Sequence, residues 1–522
     1  MKRFTRTART FAGLALLTSS LATGCFAAGN DAAAFGGDGG EGDGAGAGVA
    51  QNGAQDFGQF RAILEAGDLP GPETLDDVGF FNEHKIELPP ADCGEDICLH
   101  GELGVMGNMI NGSNCTLVML GMNTPVDPSE QPRLPLNLAI AVDTSGSMQG
   151  ASMDAVKEGL HRMLDDLGPE DQISLIGFND GSTVMTDAVS GDDPELTLAI
   201  NALNAGGRTN IYDGLRTAYE VVESHASAEL QNRVILLSDG EATVGIQSTS
   251  RLVEMSSAYN REGYGLSTIG MGEDFDPELM RNLAEKGAGS FYFLENPAAV
   301  AEVFEEEVNT FLVPLAKDVE ISLAVDSGYT LRAIYGTKQA ETWGNVGQIS
   351  IPSLQVAHRV SVDDVEGGRR GGGGAMIAEL VPRDPNQVEE EGTVGTITMS
   401  WDDPGTDETR NTSVKIASPL DPGETPDSGH FSGNGVEKSF VMLNIYAGFE
   451  MAATRSSYGD LAGARGVLVP LAEQVEAWLA DNPDIDIEDD LKYIRLFISN
   501  LDARGADFEP ESPNPPNPWP QD

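Results

Sequence analysis

Between Leu134 and about Leu315, short apolar runs alternate with stretches whose apolar residues recur at helical spacing. The runs predict strands at Leu136–Val142, Gln172–Phe178, Thr183–Thr186, Arg233–Leu237, Leu266–Met271 and Ser290–Leu294. Several are continuously apolar, as strands buried on both faces must be. The intervening stretches predict helices at Ser152–Leu167, Pro194–Leu203, Ile211–His225, Ser248–Glu262, Pro277–Glu285 and Pro297–Phe311. Met153, Val156, Leu160, Met163 and Leu164 give the first helix one apolar stripe. Alternation on this scale predicts an α/β domain over 135–315, a doubly wound, mostly parallel sheet of Rossmann-like type between helices.

The flanks follow other periods. A short amphipathic helix is expected from Phe57 to Leu64. Two strand-like runs, Ile97–Met106 and Cys115–Met122, are joined by Asn111-Gly112, a hairpin signal, and close an N-terminal segment over 57–134. Over 316–420 the pattern is β again, with runs at Val319–Val325, Tyr329–Tyr335, Gln348–Ile351, Arg359–Val362, Ala375–Val381 and Gly395–Trp401, which predicts a β-sandwich-like domain. Gly367 to Gly374 lacks the strand-to-helix context and the Lys-Ser/Thr ending of a phosphate loop, so it reads as a hairpin loop. Helical spacing returns over 437–504, at Ser439–Arg455, Asp460–Asp481 and Ile487–Leu501. Residues 25–56 are Gly, Ala and Asp with few large apolar groups, which predicts a flexible linker, and 505–522 is a disordered proline-rich tail.

The chain has 522 residues, with 31 basic against 83 acidic side chains and a net charge of −52. Such a field repels phosphate backbones and excludes a nucleic-acid partner. It also repels anionic lipid unless a covalent anchor holds the chain there. With 22% charged and 40% hydrophobic residues the composition is still globular. Solubility, adaptation to salt and cation binding all account for the acidity, and composition does not choose among them.

Lys2, Arg3, Arg6 and Arg9 precede an apolar run from Phe11 to Ala22, which reads 1–24 as a signal peptide. The run ends in Leu21-Ala22-Thr23-Gly24-Cys25, which resembles the lipobox of bacterial lipoproteins, although Leu21 stands four before the cysteine where that pattern prefers three. The resemblance implies lipidation of Cys25 and a chain exported and lipid-anchored in the cell envelope, at the outer membrane, facing periplasm or surface. The other reading is an ordinary signal cut near Gly24, with Cys25 a plain thiol. If Cys25 is lipidated, Cys93, Cys98 and Cys115 remain for one disulfide and one odd thiol. Cys93 to Cys98 closes a small loop and Cys98 to Cys115 staples a hairpin. A zinc site lacks a fourth ligand.

At the end of the first buried strand stands Asp143-Thr144-Ser145-Gly146-Ser147. In an open α/β sheet that place is the crevice at the carboxyl ends of the strands. Thr209, in Gly206-Gly207-Arg208-Thr209-Asn210, and Asp239, in Leu236-Leu237-Ser238-Asp239, fall at corresponding ends. Hydroxyl and carboxylate oxygens suit Mg²⁺, Mn²⁺ or Ca²⁺. Taken alone, Asp-x-Ser-x-Ser is also what a helix N-cap looks like. With Thr209 and Asp239 in order, the chain resembles the von Willebrand factor type A (VWA) family and its metal-ion-dependent adhesion site (MIDAS). The resemblance makes Asp143, Ser145, Ser147, Thr209 and Asp239 the set that holds a divalent cation, Mg²⁺ first. It also implies a protein partner whose Asp or Glu completes the ion's shell. Asp213 reads as a helix-start residue. Phe60 to Pro70, followed by Phe80-Phe81-Asn82-Glu83-His84, is similar to a segment that precedes the type A domain in certain bacterial lipoproteins. That segment's usual paired arginines are Phe60-Arg61 here.

No enzyme is expected. Ser145 and Ser147 lack a Gly-x-Ser-x-Gly elbow, and the six histidines form no His-Glu-x-x-His pattern. The acids from Asp484 to Asp490 lack EF-hand spacing and read as a helix start. Two functions stand open: an adhesion or interaction module that captures a carboxylate through its cation, and a scaffold subunit of an envelope complex with a structural metal. The β segments before and after the type A domain are expected to form one sandwich into which it is inserted, by analogy with the hybrid domain of integrin β chains.

Overall fold

The computed structural model describes residues 25, 47–51, 53–55, 57–126, 134–227, 229–239, 241–271, 276–294, 303, 314–356, 375–383, 392–404, 406 and 408–506. The signal, most of the linker, the strand expected at 359–362, the loop at 367–374, the tail beyond 506 and all but residue 303 of the helix expected at 297–311 lie outside them.

The central α/β unit is a sheet in the order β2-β10-β9-β8-β5-β6-β7. Its strands are β2 (Gly53–Ala54), β5 (Leu136–Asp143), β6 (Gln172–Phe178), β7 (Ser182–Ser190), β8 (Gln231–Ser238), β9 (Gly265–Met271) and β10 (Ser290–Leu294). All neighbours run parallel except β6 with β7. Alternate residues of β5 serve opposite faces. Leu136, Leu138, Ile140 and Val142 meet helices α3 (Ala151–Met163) and α4 (Pro194–Ala202), while Ala139 and Ala141 meet α5 (Ile211–His225). Small alanines let α5 ride close to the sheet, and Gly214 on it lies so near Phe178 that an added Cβ would stand 2.5 Å from the ring. Helices α6 (Thr249–Asn260) and α7 (Pro277–Lys286) cover the same face as α5. The stripe read on α3 is buried through Met153, Val156, Leu160 and Met163, which together contribute about 6–10 kcal/mol of apolar burial.

The flanking β segments form one body. Strands β3 (Cys98–Gly107) and β4 (Asn114–Thr124) turn through Gly112, whose φ of +72° suits glycine. β4 pairs antiparallel with β15 (Met376–Pro382), which pairs with β12 (Tyr329–Tyr335). A second layer is built from β14 (Val346–Val356), β11 (Pro314–Val325), β16 (Thr393–Asp402) and β17 (Thr409–Ala417), with β13 (Ala340–Trp343) beside β14. Leu103, Val118, Leu120 and Ala378 of one layer pack with Ile321, Ile351, Ile397 and Trp401 of the other, a sandwich core. The α/β unit enters after β4 and leaves before β11, so it is inserted in the sandwich.

The outer face of the first layer carries Cys115, Leu117, Met119 and Ile377, which pack on helices. β4 is therefore buried on both sides, and from Leu117 to Leu120 its residues are continuously apolar. Helix α8 (Asn434–Ser457) lies in this layer, with α9 (Leu461–Asp481) and α10 (Ile485–Ala503) beyond it, and the short β18 (His430–Phe431) pairs with β3 just before α8. The segment expected to precede the type A domain is part of the same core. Its helices are α1 (Gly58–Glu65) and α2 (Asp77–Asn82), and Phe60, Phe80 and Phe81 are fully buried among α8 and α10. Arg61 pairs with the buried Glu83, and His84 Nε2 lies 2.8 Å from Asp490 Oδ2, both residues fully buried.

Two expectations are corrected here. Residues 47–51 and 53–54 are not a flexible linker: β1 (Ala47–Gln51) pairs with both β4 and β14 and joins the sandwich layers, and β2 extends the α/β sheet beside β10. Small residues allow that close approach, and the hydrogen-bonding partners come from other strands, which the segment's own composition does not reveal. Cys25 is not free to carry a lipid. Its sulfur is bonded to Cys115, and a sulfur in a disulfide has no bond left for a thioether. With Cys93–Cys98 the second bridge, all four cysteines are paired and the odd thiol disappears.

Candidate metal site

The chain runs from β5 to β6 on one side and later to β8 on the other, so the carboxyl end of β5 opens into a crevice between diverging loops. Asp143 ends β5 and is wholly buried. Its Oδ1 accepts the amide of Ser145 at 2.8 Å, and its Oδ2 accepts the Ser238 hydroxyl at 2.6 Å. Burial pushes its carboxyl above the ordinary value, and these hydrogen bonds pull against that shift.

The loop after Asp143 is stitched to its neighbours by backbone. Thr144 N donates to Phe178 O at 2.7 Å, Gly206 N to Thr144 O at 2.7 Å, and Gly146 N to Gly207 O at 3.1 Å. Gly207 takes a φ of +90°, and a Cβ there would meet Asp180 Oδ2 at 2.7 Å. These bonds bring the Thr209 loop to the same edge as the two serines. Thr209 is itself pinned, its amide donating to Thr243 Oγ1 and its carbonyl accepting the amides of Thr243 and Val244.

Ser145 Oγ stands 2.9 Å from Ser147 Oγ, which donates to Asp239 Oδ1 at 2.8 Å. All five residues named from the sequence thus lie at the ends of β5 and β8 and on the loop before α5. Ser145, Thr209 and Asp239 are buried, and Ser147 is exposed, so the cluster opens to solvent on one side. The helix-cap alternative fails: α3 is preceded by Gly150, and no side chain caps it.

The donor set suits a small hard cation. Adjacent ligand oxygens on an octahedral Mg²⁺ with bonds near 2.1 Å lie about 3 Å apart, the spacing of the Ser145 and Ser147 hydroxyls, with Asp239 hydrogen-bonded behind Ser147. Among the described residues no group of three or more His, Cys, Asp or Glu is gathered for a metal.

Two contributors were not singled out in the sequence, Ser238 and Thr243. Ser238 is the β8 residue before Asp239, and its place at the strand end was the available signal. Thr243 acts from a loop with no local pattern. Asp213 lies in the first turn of α5, where its carboxylate accepts from Ser182 and Arg216, away from the cluster. Asp484 caps α10, Asp486 pairs with Lys438 and Asp490 with His84, which accounts for three of the C-terminal acids. His161 faces Asn201, and His225 faces Asp187.

Residues 137–306 match the model of the von Willebrand factor type A domain. An uncharacterized protein of Escherichia coli (strain K12), YfbK, is 28% identical over 190 residues, which are 36% of this chain and 33% of that protein. The match thus spans a third of that relative's length. Among solved structures, the von Willebrand factor type A protein from Catenulispora acidiphila aligns with a TM-score of 0.48 at 18% identity, over 77% of this chain and 89% of its own. The proximal thread matrix protein 1 of the mussel byssus, with a zinc-occupied MIDAS motif, aligns with a TM-score of 0.30 at 24% identity, over 34% and 46%.

Proposed function

We propose, from the premise that residues 137–306 are a von Willebrand factor type A domain, that this chain is an exported protein that captures a carboxylate on a partner protein through a divalent cation. The observation that carries the proposal is the pair of Ser145 and Ser147 hydroxyls, spaced as neighbouring ligands of a small hard cation, backed by Asp239 and open to solvent at Ser147.

Ser145, Ser147 and Thr209 are the hydroxyls that would hold the ion, with Asp143 and Asp239 behind them. The cation supplies a hard electrophilic centre that prefers a further anionic oxygen. Asp143 is committed to Ser145 N and Ser238 Oγ, so its charge is spent on positioning the loop. The hydroxyl-rich shell leaves the positive charge weakly neutralised, which favours an acidic side chain from outside. Arg208, exposed beside Thr209 and paired with Asp180, is placed to meet the same partner at the rim. The role is binding and not catalysis. Two disulfides support export to an oxidising compartment.

The test is capture of envelope proteins by the purified full chain, with Mg²⁺ and with EDTA. Asp143→Ala and Ser145→Ala are expected to lose the Mg²⁺-dependent set while keeping the fold. A partner set indifferent to EDTA and to both substitutions would instead support the scaffold with a structural metal.

A further inference from the structure

Cys25 is 1% exposed and packs in the helix-facing core with Met106, Met119 and Phe440. Its two reactive atoms are both engaged. The sulfur is bonded to Cys115 on β4, and the backbone nitrogen donates to Glu379 Oε1 on β15 at 2.8 Å. β4 and β15 are neighbours, and Glu379 pairs in register with Leu117, two residues from Cys115. One residue is therefore held by two adjacent strands.

Glu379 is fully buried, and such a carboxylate costs several kcal/mol unless donors and cations meet it. Arg332 Nη1 and the Tyr335 hydroxyl, both from β12, each lie 3.0 Å from it. The Cys25 nitrogen is the third donor, arriving from outside that strand pair. The sequence puts a processing bond at this nitrogen. A basic start and an apolar run precede it, and the small residues Ala22 and Gly24 stand three and one before the Gly24–Cys25 bond.

We propose that export cleaves Gly24–Cys25, that the new α-ammonium of Cys25 stays unacylated on Glu379, and that the Cys25 sulfur is closed onto Cys115. The mature N-terminus is then a staple of the sandwich core and not a lipid anchor. Hydrolysis by a signal peptidase consumes one water and leaves a carboxylate on Gly24 and an amine on Cys25, protonated at neutral pH. The S–S bond forms as the two thiols give two electrons and two protons to a dithiol–disulfide oxidase of the envelope. Acylation of the sulfur or the nitrogen would require Cys25 to leave the core and expose Glu379.

The experiment is intact-mass and N-terminal analysis of the full chain, expressed with its own leader and recovered from the envelope of a bacterial host. A non-reducing peptide map and amine labelling of the native protein complete it. The expected result is a chain starting at Cys25 without an acyl increment, with a Cys25–Cys115 linked peptide. Glu379→Gln should label its N-terminal amine at least tenfold faster than the parent. A diacylglyceryl increment on Cys25, a different first residue, or an equal labelling rate in a variant that keeps the linked peptide would overturn the proposal. The wild-type mass decides even if the variant fails to fold.

Discussion

The Ser147 hydroxyl donates to Asp239 Oδ1 across 2.8 Å, although 92 residues separate the two in the chain. The bond joins the loop after β5 to the loop after β8, which only a parallel pairing of those strands brings level. Ser147→Ala removes one ligand hydroxyl and one hydrogen bond at an exposed position. Its cation-free stability should fall by only about 1 kcal/mol. The rise in melting temperature on adding millimolar Mg²⁺, measured by differential scanning fluorimetry, should disappear. An unchanged Mg²⁺ response would remove Ser147 from the ligand set.

Ser238 holds the buried Asp143 carboxylate through its hydroxyl. Ser238→Ala should weaken Mg²⁺ binding about 10–100-fold, the usual effect of losing a partner that orients a metal-site residue. Titration calorimetry on the intact chain measures it. Ser238→Thr keeps the hydroxyl and should recover much of the loss.

Glu285 on α7 faces Asp76, Arg281 and Lys338 where the type A unit meets α2 and the sandwich. Burial first, and then the charge of Asp76, push its carboxyl up to about 7 from an ordinary value of 4.5. A raised pKa means that the folded state holds the proton more tightly. The stability this contributes is complete below pH 4.5 and is lost as pH rises through about 7, a difference of about 3 kcal/mol. Glu285→Gln should therefore melt higher than the parent at pH 8 and nearly the same at pH 4. Thermal melts at the two values decide it, and equal melting temperatures at pH 8 would count against it.

The two disulfides should differ in worth. On the chain-entropy account, the bridge closing 90 residues contributes about 4–5 kcal/mol, and the one closing five about 2. Cys115→Ser should therefore lower the denaturation midpoint in urea clearly more than Cys93→Ser.

Much of the type A unit was legible because its strands are apolar on both faces and its helices carry stripes on one. The bounds of β6, β10 and α5 match the expectation to the residue. The candidate cluster was legible for a different reason: Asp143, Ser145 and Ser147 alternate within five residues, and Asp239 follows directly on an apolar strand. What escaped was pairing decided by distant chain. Ala47 to Ala54 has few large side chains, and its register is dictated by β4, β14 and β10. β17 reads Thr-Arg-Asn-Thr-Ser-Val-Lys-Ile-Ala, an edge strand whose period-2 apolar signal is confined to Val414 and Ile416, too short to mark a strand. Cys25 escaped because its partners, Cys115 and Glu379, are 90 and 354 residues away.

β1 belongs to the sandwich and β2 to the type A sheet, and the chain passes between the two bodies again between β4 and β5 and between β10 and β11. A domain hung on one thread swivels under a pull. Here a tensile load applied at the carboxyl end of the sheet would be divided among several crossings. β2 lies along β10 in parallel register, so drawing that edge out stresses its hydrogen bonds in shear together and not one after another. The strap that composition presented as slack is thus one of the ties between the two bodies.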